Sequence, residues 1–315
     1  MVKDIQNLTC WIISEGMAGT ENQCLGVVEA LGIEPNIKRI NLTFPWNFLP
    51  PSIKFETSSS FTPKLTPPWP DIIIASGRKA IPVTRYIKKK SGEKTFTVYL
   101  QDPRVNPNQF NLVAVPFHDQ TRGENVIVTN GAPNKISDVN LSLAKAQFAP
   151  LFEQLKKPRI AVLIGGNSKA YKMTPEITKN LCDQLNELDA SLIITASRRT
   201  SEENLNIIKK QCDNNNNFIW DGNGENPYLG MLAWADTILV TADSTSMVSD
   251  AGTTGKPVYI VPLEGGSKKF DIFHNHLRAL GVARLFDGQL DHWKYDRLRD
   301  AENVANEIKR LLNKK

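Results

Sequence analysis

In TILVTADSTSMVSDAGTTGKPVYIV, residues 237–261, two apolar runs flank a hydroxyl-rich turn. Thr237–Thr241 and Val258–Val261 are short, rich in β-branched residues and bounded by polar ones, the pattern of strands buried on both faces. Between them, Asp243, Ser244, Thr245 and Ser246 open a short helix that ends before Gly255-Lys256-Pro257. Strand, helix and strand in so short a compass make a βαβ unit. Such units build parallel sheets with right-handed crossovers.

The same alternation runs outward in both directions. Arg159–Ile164, Ser191–Thr195 and Phe218–Trp220 read as strands of the same half. The helix after the first of them is well marked: Thr174 caps it, Pro175 takes the first helical position, and Ile177, Leu181, Leu185 and Leu188 form one stripe. Thr200 and Glu203 offer a capping box to the next helix, which carries Leu205 and Ile208. Nearer the start, Thr9–Ile13, Asp71–Ala75, Thr97–Leu100, Leu112–Val115 and Val126–Thr129 repeat the strand pattern. Helices fill Asn22–Leu31, ended by Gly32, and about Ile81–Lys89. A helix over about Leu141–Leu155 leads to Lys156-Lys157-Pro158, read as a hinge, and the helix Asp300–Leu312 carries Val304, Ile308 and Leu311. The segment Asn41–Pro70 has no period but holds Trp46, Phe48, Phe55, Phe61 and Trp69, so an ordered insertion with its aromatics out of solvent is expected. At 315 residues the chain suits two domains. The fold class expected is α/β: two doubly wound, mostly parallel-sheet, Rossmann-like domains, residues 1–155 and 156–315.

Composition bounds the function. Hydrophobic residues at 41% and charged residues at 23% describe an ordinary globular chain. The net charge of +5 suits an anionic small ligand or a loose attraction to an anionic membrane, and is too diffuse for nucleic acid. Cys10, Cys24, Cys182 and Cys212 form no CxxC pair, which reads as reduced thiols in a cytoplasmic protein. Met1–Cys10 is polar, unlike a secretory signal, and no apolar run nears the ~20 residues of a membrane span, so membrane contact would be peripheral, on the inner face. His274 and His276 lie two apart while His118 and His292 are isolated, so no metal is expected, and no cofactor.

In open parallel sheets, ligands bind beyond the carboxyl ends of the strands. After the first strand come Gly16, Gly19, Glu21, Asn22 and Gln23, where glycines admit a ligand and a helix N-terminus favours an anion. A tight strand–helix turn explains the same residues. Ser76, Gly77, Arg78 and Lys79 suit a phosphate or carboxylate, or are solvated helix-end charge. Asp102 is a candidate general base or a turn-forming Asp-Pro, and His118-Asp119 is a further candidate. In the second half, Gly165, Gly166, Asn167 and Ser168 can admit a pyrophosphate. Ser197 with Arg198 or Arg199 can hold a phosphate. Ser244, Thr245, Ser246 and Met247 form an anion site at a helix start, and Asp250 can accept from ribose hydroxyls or merely favour its helix dipole.

At this point a family resemblance emerges. The series Ala-Asp-x-Ile, Ser/Thr turn, short helix, Gly255-Lys256-Pro257 and strand looks like the donor-binding half of GT-B glycosyltransferases. Gly16-x-x-Gly19-x-x-Asn22-Gln23, Ser76-Gly77-Arg78, Gln101-Asp102-Pro103 and Gly165-Gly166-Asn167-Ser168 resemble the mitochondrial-fission "elongate mitochondria" family over nearly the whole chain. That family has plant members linked to mitochondrial division and bacterial members regarded as glycosyltransferases. Two departures stand out: Asp250 where such proteins commonly have Glu, and Thr20 where Asn or His is expected. The resemblance implies a GT-B fold, with residues 1–155 on the acceptor side, 156–315 as the donor domain, and the helix at about 300–312 crossing back. It implies a nucleotide-diphosphate sugar as donor and an unidentified acceptor, a cell-envelope glycan or lipid. Gly165–Ser168, Ser244–Met247 and Arg198 or Arg199 would hold the diphosphate without a metal, and Glu21 or Asp102 would deprotonate the acceptor. A nucleotide-sugar epimerase, or a non-catalytic membrane-associated adaptor, fits the same fold.

Overall fold

The computed structural model describes residues 5–314, so the first four residues of the polar N-terminal segment lie outside the described residues. The chain divides into two compact units. One takes the residues up to Lys135 together with those from Arg299 onward, and the other is Ile136–Leu298.

The first unit contains β1 (Cys10–Ser14), α1 (Ala18–Leu31), β2 (Pro35–Arg39), β3 (Ile72–Ser76), α2 (Ala80–Lys90), β4 (Phe96–Leu100), β5 (Leu112–Pro116) and β6 (Val126–Thr129). These six strands pair in parallel in the order β2-β1-β3-β4-β5-β6. Every residue of β3, β4 and β5 is buried, as the unbroken apolar runs require when helices cover both faces. Ile12, Ile74 and Val98 face Val27 and Val28 of α1, while Ile13 and Ile73 face Val83 and Ile87 of α2. Gly32 closes α1 at φ 76°, a left-handed angle that glycine takes at little cost. Strand β2 has no apolar run to announce it: Ile37 is its single aliphatic residue.

The second unit contains α3 (Asp138–Gln147), α4 (Ala149–Phe152), β7 (Arg159–Ile164), α5 (Pro175–Asn186), β8 (Ser191–Ala196), α6 (Glu202–Cys212), β9 (Phe218–Ile219), α7 (Tyr228–Trp234), β10 (Thr237–Thr241), α8 (Thr245–Thr253), β11 (Val258–Val261), α9 (Lys268–Ala279) and β12 (Ala283–Leu285). Its six parallel strands follow the order β9-β8-β7-β10-β11-β12. Thr174 accepts from the Ile177 N–H at 3.3 Å and starts α5. The cap of α6 is Ser201 rather than Thr200, accepting from Asn204 N–H at 3.2 Å.

Two expectations are corrected, one on the helix before Lys156 and one on the insertion. The helix read over Leu141–Leu155 is two, α3 and α4, and Ala144, Phe148 and Phe152 pack with Ile193 and Met231, so the chain enters the second unit well before Lys156. The helix after Leu298, α10 (Asp300–Leu312), belongs to the first unit, where Val304, Ala305 and Ile308 join the core beneath α1. Its Asp300 carboxylate accepts from Asn130 N–H at 2.9 Å and Gly131 N–H at 2.8 Å, fixing its start to the end of β6. In the insertion, Asn41–Leu42 pairs antiparallel with Phe61–Thr62 and Phe61 is buried. Phe44, Phe48 and Phe55 instead stay 82%, 75% and 68% exposed. Among the described residues, no helix is long and apolar enough to cross a membrane.

Each sheet reverses its winding once, between β1 and β3 in the first unit and between β7 and β10 in the second. Such a reversal is the place where doubly wound sheets take ligands.

Candidate functional site

In the first unit, the turn after β1 is Glu15, Gly16 and Met17, because α1 already begins at Ala18. Gly19, Glu21, Asn22 and Gln23 are therefore helical, not loop, residues. Gly16 needs its glycine, at φ 79°, whereas a Cβ on Gly19 would meet nothing within 4 Å. Glu21 is buried and tied on both oxygens: Arg39, at the end of β2, donates to Oε1 at 2.7 Å and to Oε2 at 3.1 Å, and Ser14 Oγ donates to Oε2 at 3.0 Å. The Arg39 hydrogen bonds hold this carboxyl below the ordinary glutamate range, with burial opposing them. A carboxylate so paired is a weak proton acceptor. Gln23 is buried and accepts from Gln101 Nε2 at 3.1 Å, linking α1 to the loop after β4, and Asn22 is half-buried beside it. Asp102 on that loop is half-buried, and its Oδ1 accepts from Arg104 N–H at 2.8 Å and Thr121 Oγ1 at 2.7 Å, bonds that leave Oδ2 aside.

At the strand-order reversal of this unit, Glu15 joins the two loops. Its Oε1 accepts from Lys79 N–H at 2.8 Å, and Lys79 Nζ stands 3.5 Å from Oε2. Gly77, at φ 91°, has no room for a side chain, since a Cβ would lie 2.9 Å from Glu15 Oε1. Ser76 is buried at the end of β3, and Arg78 is exposed, donating from Nη2 to the Leu49 carbonyl at 3.0 Å. After β5, His118 is half-buried and Asp119 buried, Nε2 to Oδ2 at 3.9 Å, inside a turn whose carbonyls Arg122 binds.

In the second unit, the reversal lies between the Gly165 loop and the start of α8. A Cβ on Gly165 would come within 2.3 Å of the Asp243 carboxylate, and one on Gly166, at φ 132°, within 2.3 Å of the Arg199 carbonyl. The loops after β7, β8 and β10 are thus packed backbone to side chain. Thr241 Oγ1 accepts from Gly165 N–H at 2.7 Å and donates to Asp243 Oδ1 at 2.7 Å. Ser197 Oγ and Thr200 Oγ1 both donate to the Gly165 carbonyl. Arg199 Nη2 sits 2.7 Å from the buried Asp243 Oδ2, which leaves Arg198 as the exposed cation of that loop free of this pairing. The amides of Gly165, Asn167 and Ser168 donate to Thr241 Oγ1, the Arg199 carbonyl and the Tyr171 carbonyl, so this loop offers fewer free donors than its glycines suggest. Asn167 and Ser168 side chains accept from Met173 N–H at 2.9 Å and Tyr171 N–H at 3.0 Å, holding their own turn.

The start of α8 is more open. Ser244 caps it, accepting from Met247 N–H at 3.4 Å, and Thr245, Ser246 and Met247 are half-buried in its first turn, where N–H groups lack intrahelical acceptors. Asp250, one turn on, accepts from the Tyr228 hydroxyl at 2.9 Å. Burial, with Asp250 beside it, raises the Tyr228 pKa well above its usual value, so this hydroxyl stays a donor. Lys256 of the Gly-Lys-Pro run donates to the Leu232 and Ala233 carbonyls at 2.6 and 2.8 Å and closes α7. His274 of α9 is buried with a hydrogen bond to the Ala242 backbone, and burial lowers its pKa to about 4, so it is neutral at pH 7. Glu15, Asp243, Tyr228 and His274 are not among the site candidates read from the sequence. Glu15 and Asp243 stand directly after strands, which was the available signal, whereas Tyr228 and His274 lie far along the chain from what they touch. No group of three or more His, Cys, Asp or Glu among the described residues is placed to hold a metal ion.

The profile of the family described as "Mitochondrial fission ELM1" matches residues 18–312. The chain is 34% identical over 273 residues to the "Mitochondrial fission protein ELM1" of Arabidopsis thaliana, across 77% of this chain and 64% of that protein's length. It is 29% identical to "Uncharacterized protein RP120" of Rickettsia prowazekii (strain Madrid E), across 97% of this chain and 99% of that one. Among solved structures, the UDP-GlcNAc 2-epimerase of Methanocaldococcus jannaschii superposes with a TM-score of 0.61 at 14% identity, covering 98% of this chain and 100% of that one. At that identity the likeness is one of fold, and the fold is the GT-B type shared by glycosyltransferases and such epimerases.

Proposed function

The chain belongs to the Mitochondrial fission ELM1 family, and from that premise we propose that its second unit binds a nucleotide-diphosphate sugar whose sugar is transferred to an acceptor hydroxyl. One observation carries this reading. In the second unit, the strand-order reversal, Gly165 pressed against Asp243 and the open N-terminus of α8 fall at one place. A helix N-terminus with half-buried hydroxyls favours a diphosphate. Arg198, exposed on the loop after β8, supplies the countercharge. Asp250, oriented by Tyr228, takes the ribose hydroxyls. A uridine nucleotide is the first choice, since the fold is shared with an enzyme named for UDP-GlcNAc.

In the transfer, the acceptor oxygen attacks the anomeric carbon while its proton passes to a carboxylate base; of the two candidates, Asp102, whose Oδ2 is the less engaged oxygen, is the better proton acceptor. The bond from the anomeric carbon to the diphosphate breaks and its electron pair leaves on the diphosphate, which the α8 dipole and Arg198 stabilise. Glu21 serves as a frame through Arg39 rather than as the base. Calorimetric titration with UDP, GDP, ADP and UDP-GlcNAc tests the reading. One nucleotide should bind, and Asp250→Ala should weaken it by ~1.5–3 kcal/mol through loss of charge-assisted bonds, a loss in affinity separate from the drop in ligand-free stability expected when the Tyr228 hydroxyl loses its acceptor. Absence of binding by all four would leave the adaptor reading. An epimerised donor without release of nucleoside diphosphate would assign an epimerase instead.

A further inference from the structure

The insertion of the first unit holds a surface that the sugar-transfer reading does not use. Residues 43–49 form a helical turn, with Asn47 N–H donating to the Thr43 carbonyl at 3.0 Å and Leu49 N–H to the Pro45 carbonyl at 3.3 Å. Phe44 and Phe48 stand four residues apart, hence on one face of that turn. Trp46 packs edge-on against Phe55 with ring centroids 5.1 Å apart. Three phenylalanines left more than two-thirds exposed on one short segment are unusual for a water-facing surface.

The charges around them have one sign. Between Asn41 and Pro70 the ionisable residues are Lys54, Glu56 and Lys64, and both lysines are exposed. Glu56, the one carboxylate, is withdrawn: its side chain is 7% exposed and ion-paired with Arg85. The same segment roofs a cavity of about 210 Å³. Trp46, Leu49, Ile53 and Pro82 give it an apolar side, and Arg78 and Lys79 a cationic one, on which the Glu15 carboxylate, paired with Lys79, also borders. Arg85 reaches the cavity too, 91% of its side chain buried, with an Nε that has no hydrogen-bond partner among the described residues. An apolar wall beside cations, opening next to exposed aromatic rings, complements a molecule with a hydrocarbon body and an anionic head.

We propose that this segment docks the first unit on an anionic bilayer, Phe44, Phe48 and Phe55 entering the interface while the phosphate of one lipid meets Arg78 and Lys79 in the cavity. Aromatic rings contribute apolar area at the headgroup boundary, and the cations add attraction to anionic lipid. The surface stands independently of the nucleotide site.

The full chain is sedimented with vesicles of phosphatidylcholine alone and of phosphatidylcholine with phosphatidylglycerol. Binding to the anionic vesicles is expected, weakened by salt, and reduced about tenfold or more by Phe44→Ser, Phe48→Ser and Phe55→Ser together. Those rings are exposed, so the triple variant should keep the wild-type melting temperature and nucleotide affinity, which separates this proposal from the function above. Arg78→Glu should lower binding to anionic vesicles and leave the weaker binding to phosphatidylcholine unchanged. A wild-type chain that ignores anionic vesicles at low salt, or a triple variant that binds as the wild type does, overturns the proposal. Displacement from vesicles by soluble inorganic phosphate at constant ionic strength also overturns it, marking the cavity as a site for the free ion.

Discussion

Gly165 has no room for a methyl group, because Asp243 fills the space a Cβ would take, at 2.3 Å. Gly165→Ala must push that buried carboxylate off its Thr241 and Arg199 partners, a strain of ~1–3 kcal/mol. We expect a lower denaturation midpoint and a larger loss in nucleotide titration than the stability loss alone explains. The two carboxylates of the first unit should separate by role. Asp102→Asn should abolish turnover with little change in melting temperature. Glu21→Gln should retain turnover but melt lower at pH 7. Because Arg39 depresses the Glu21 pKa below its ordinary 4.5, its stabilisation is present above that value and lost as pH falls through the folded-state pKa. The gap between wild type and Glu21→Gln should therefore close in acid. His274 has the same sense. Its pKa falls from 6.5 to about 4 on burial, so the stability it contributes is whole above pH 6.5 and drains away, by about 3 kcal/mol, as pH falls toward 4. Urea midpoints across that range should slope for the wild type and flatten for His274→Phe; an equal slope in both would place the titration elsewhere.

At the scale of elements, α10 offers the sharpest test. Ile308 is fully buried in the core that α1 shares with the sheet, so Ile308→Ala should cost about 2–5 kcal/mol in chemical denaturation. The amphipathic stripe of Val304 and Ile308 was legible in the sequence because a helix repeats every 3.6 residues. The strands β3, β5, β7 and β10 were legible because burial on both faces demands unbroken aliphatic runs. Strand β2 was not, since an edge strand needs little apolar content, whereas the short edge strand β9 lies within the apolar run Phe218–Trp220. The α1 boundary was misplaced by four residues: Met17, its N-cap, makes no side-chain capping bond that a sequence could advertise. The insertion misled in the other direction. Phe61 and Trp69 are packed while Phe44, Phe48 and Phe55 are not, and composition cannot separate a ring that joins a core from one held out on a turn. In the site, residues directly after strands were legible from topology, but Glu21's pairing with Arg39 depended on the parallel pairing of β1 with β2, which brings the ends of the two strands together.

At the scale of the molecule, two parallel sheets of six strands each supply one reversal point, and at each stands a glycine with no room for a Cβ, Gly77 in the first unit and Gly165 in the second. Catalysis built from helix dipoles and arginine needs no divalent ion, so turnover, once a donor is found, should survive EDTA; full loss restored by Mg²⁺ or Mn²⁺ would refute the dipole-based mechanism. The return of the chain to the first unit has a consequence for its synthesis. Residues 136–298 form a loop of sequence threaded between two parts of one core. As the polypeptide leaves the ribosome, the second unit has all of its strands available while the first still lacks α10, and the part of α1 that α10 packs against waits uncovered. Here the usual order, in which the earlier-made domain folds first, is inverted: the later-made unit is complete before the earlier one, which closes last, when Val304 and Ile308 arrive.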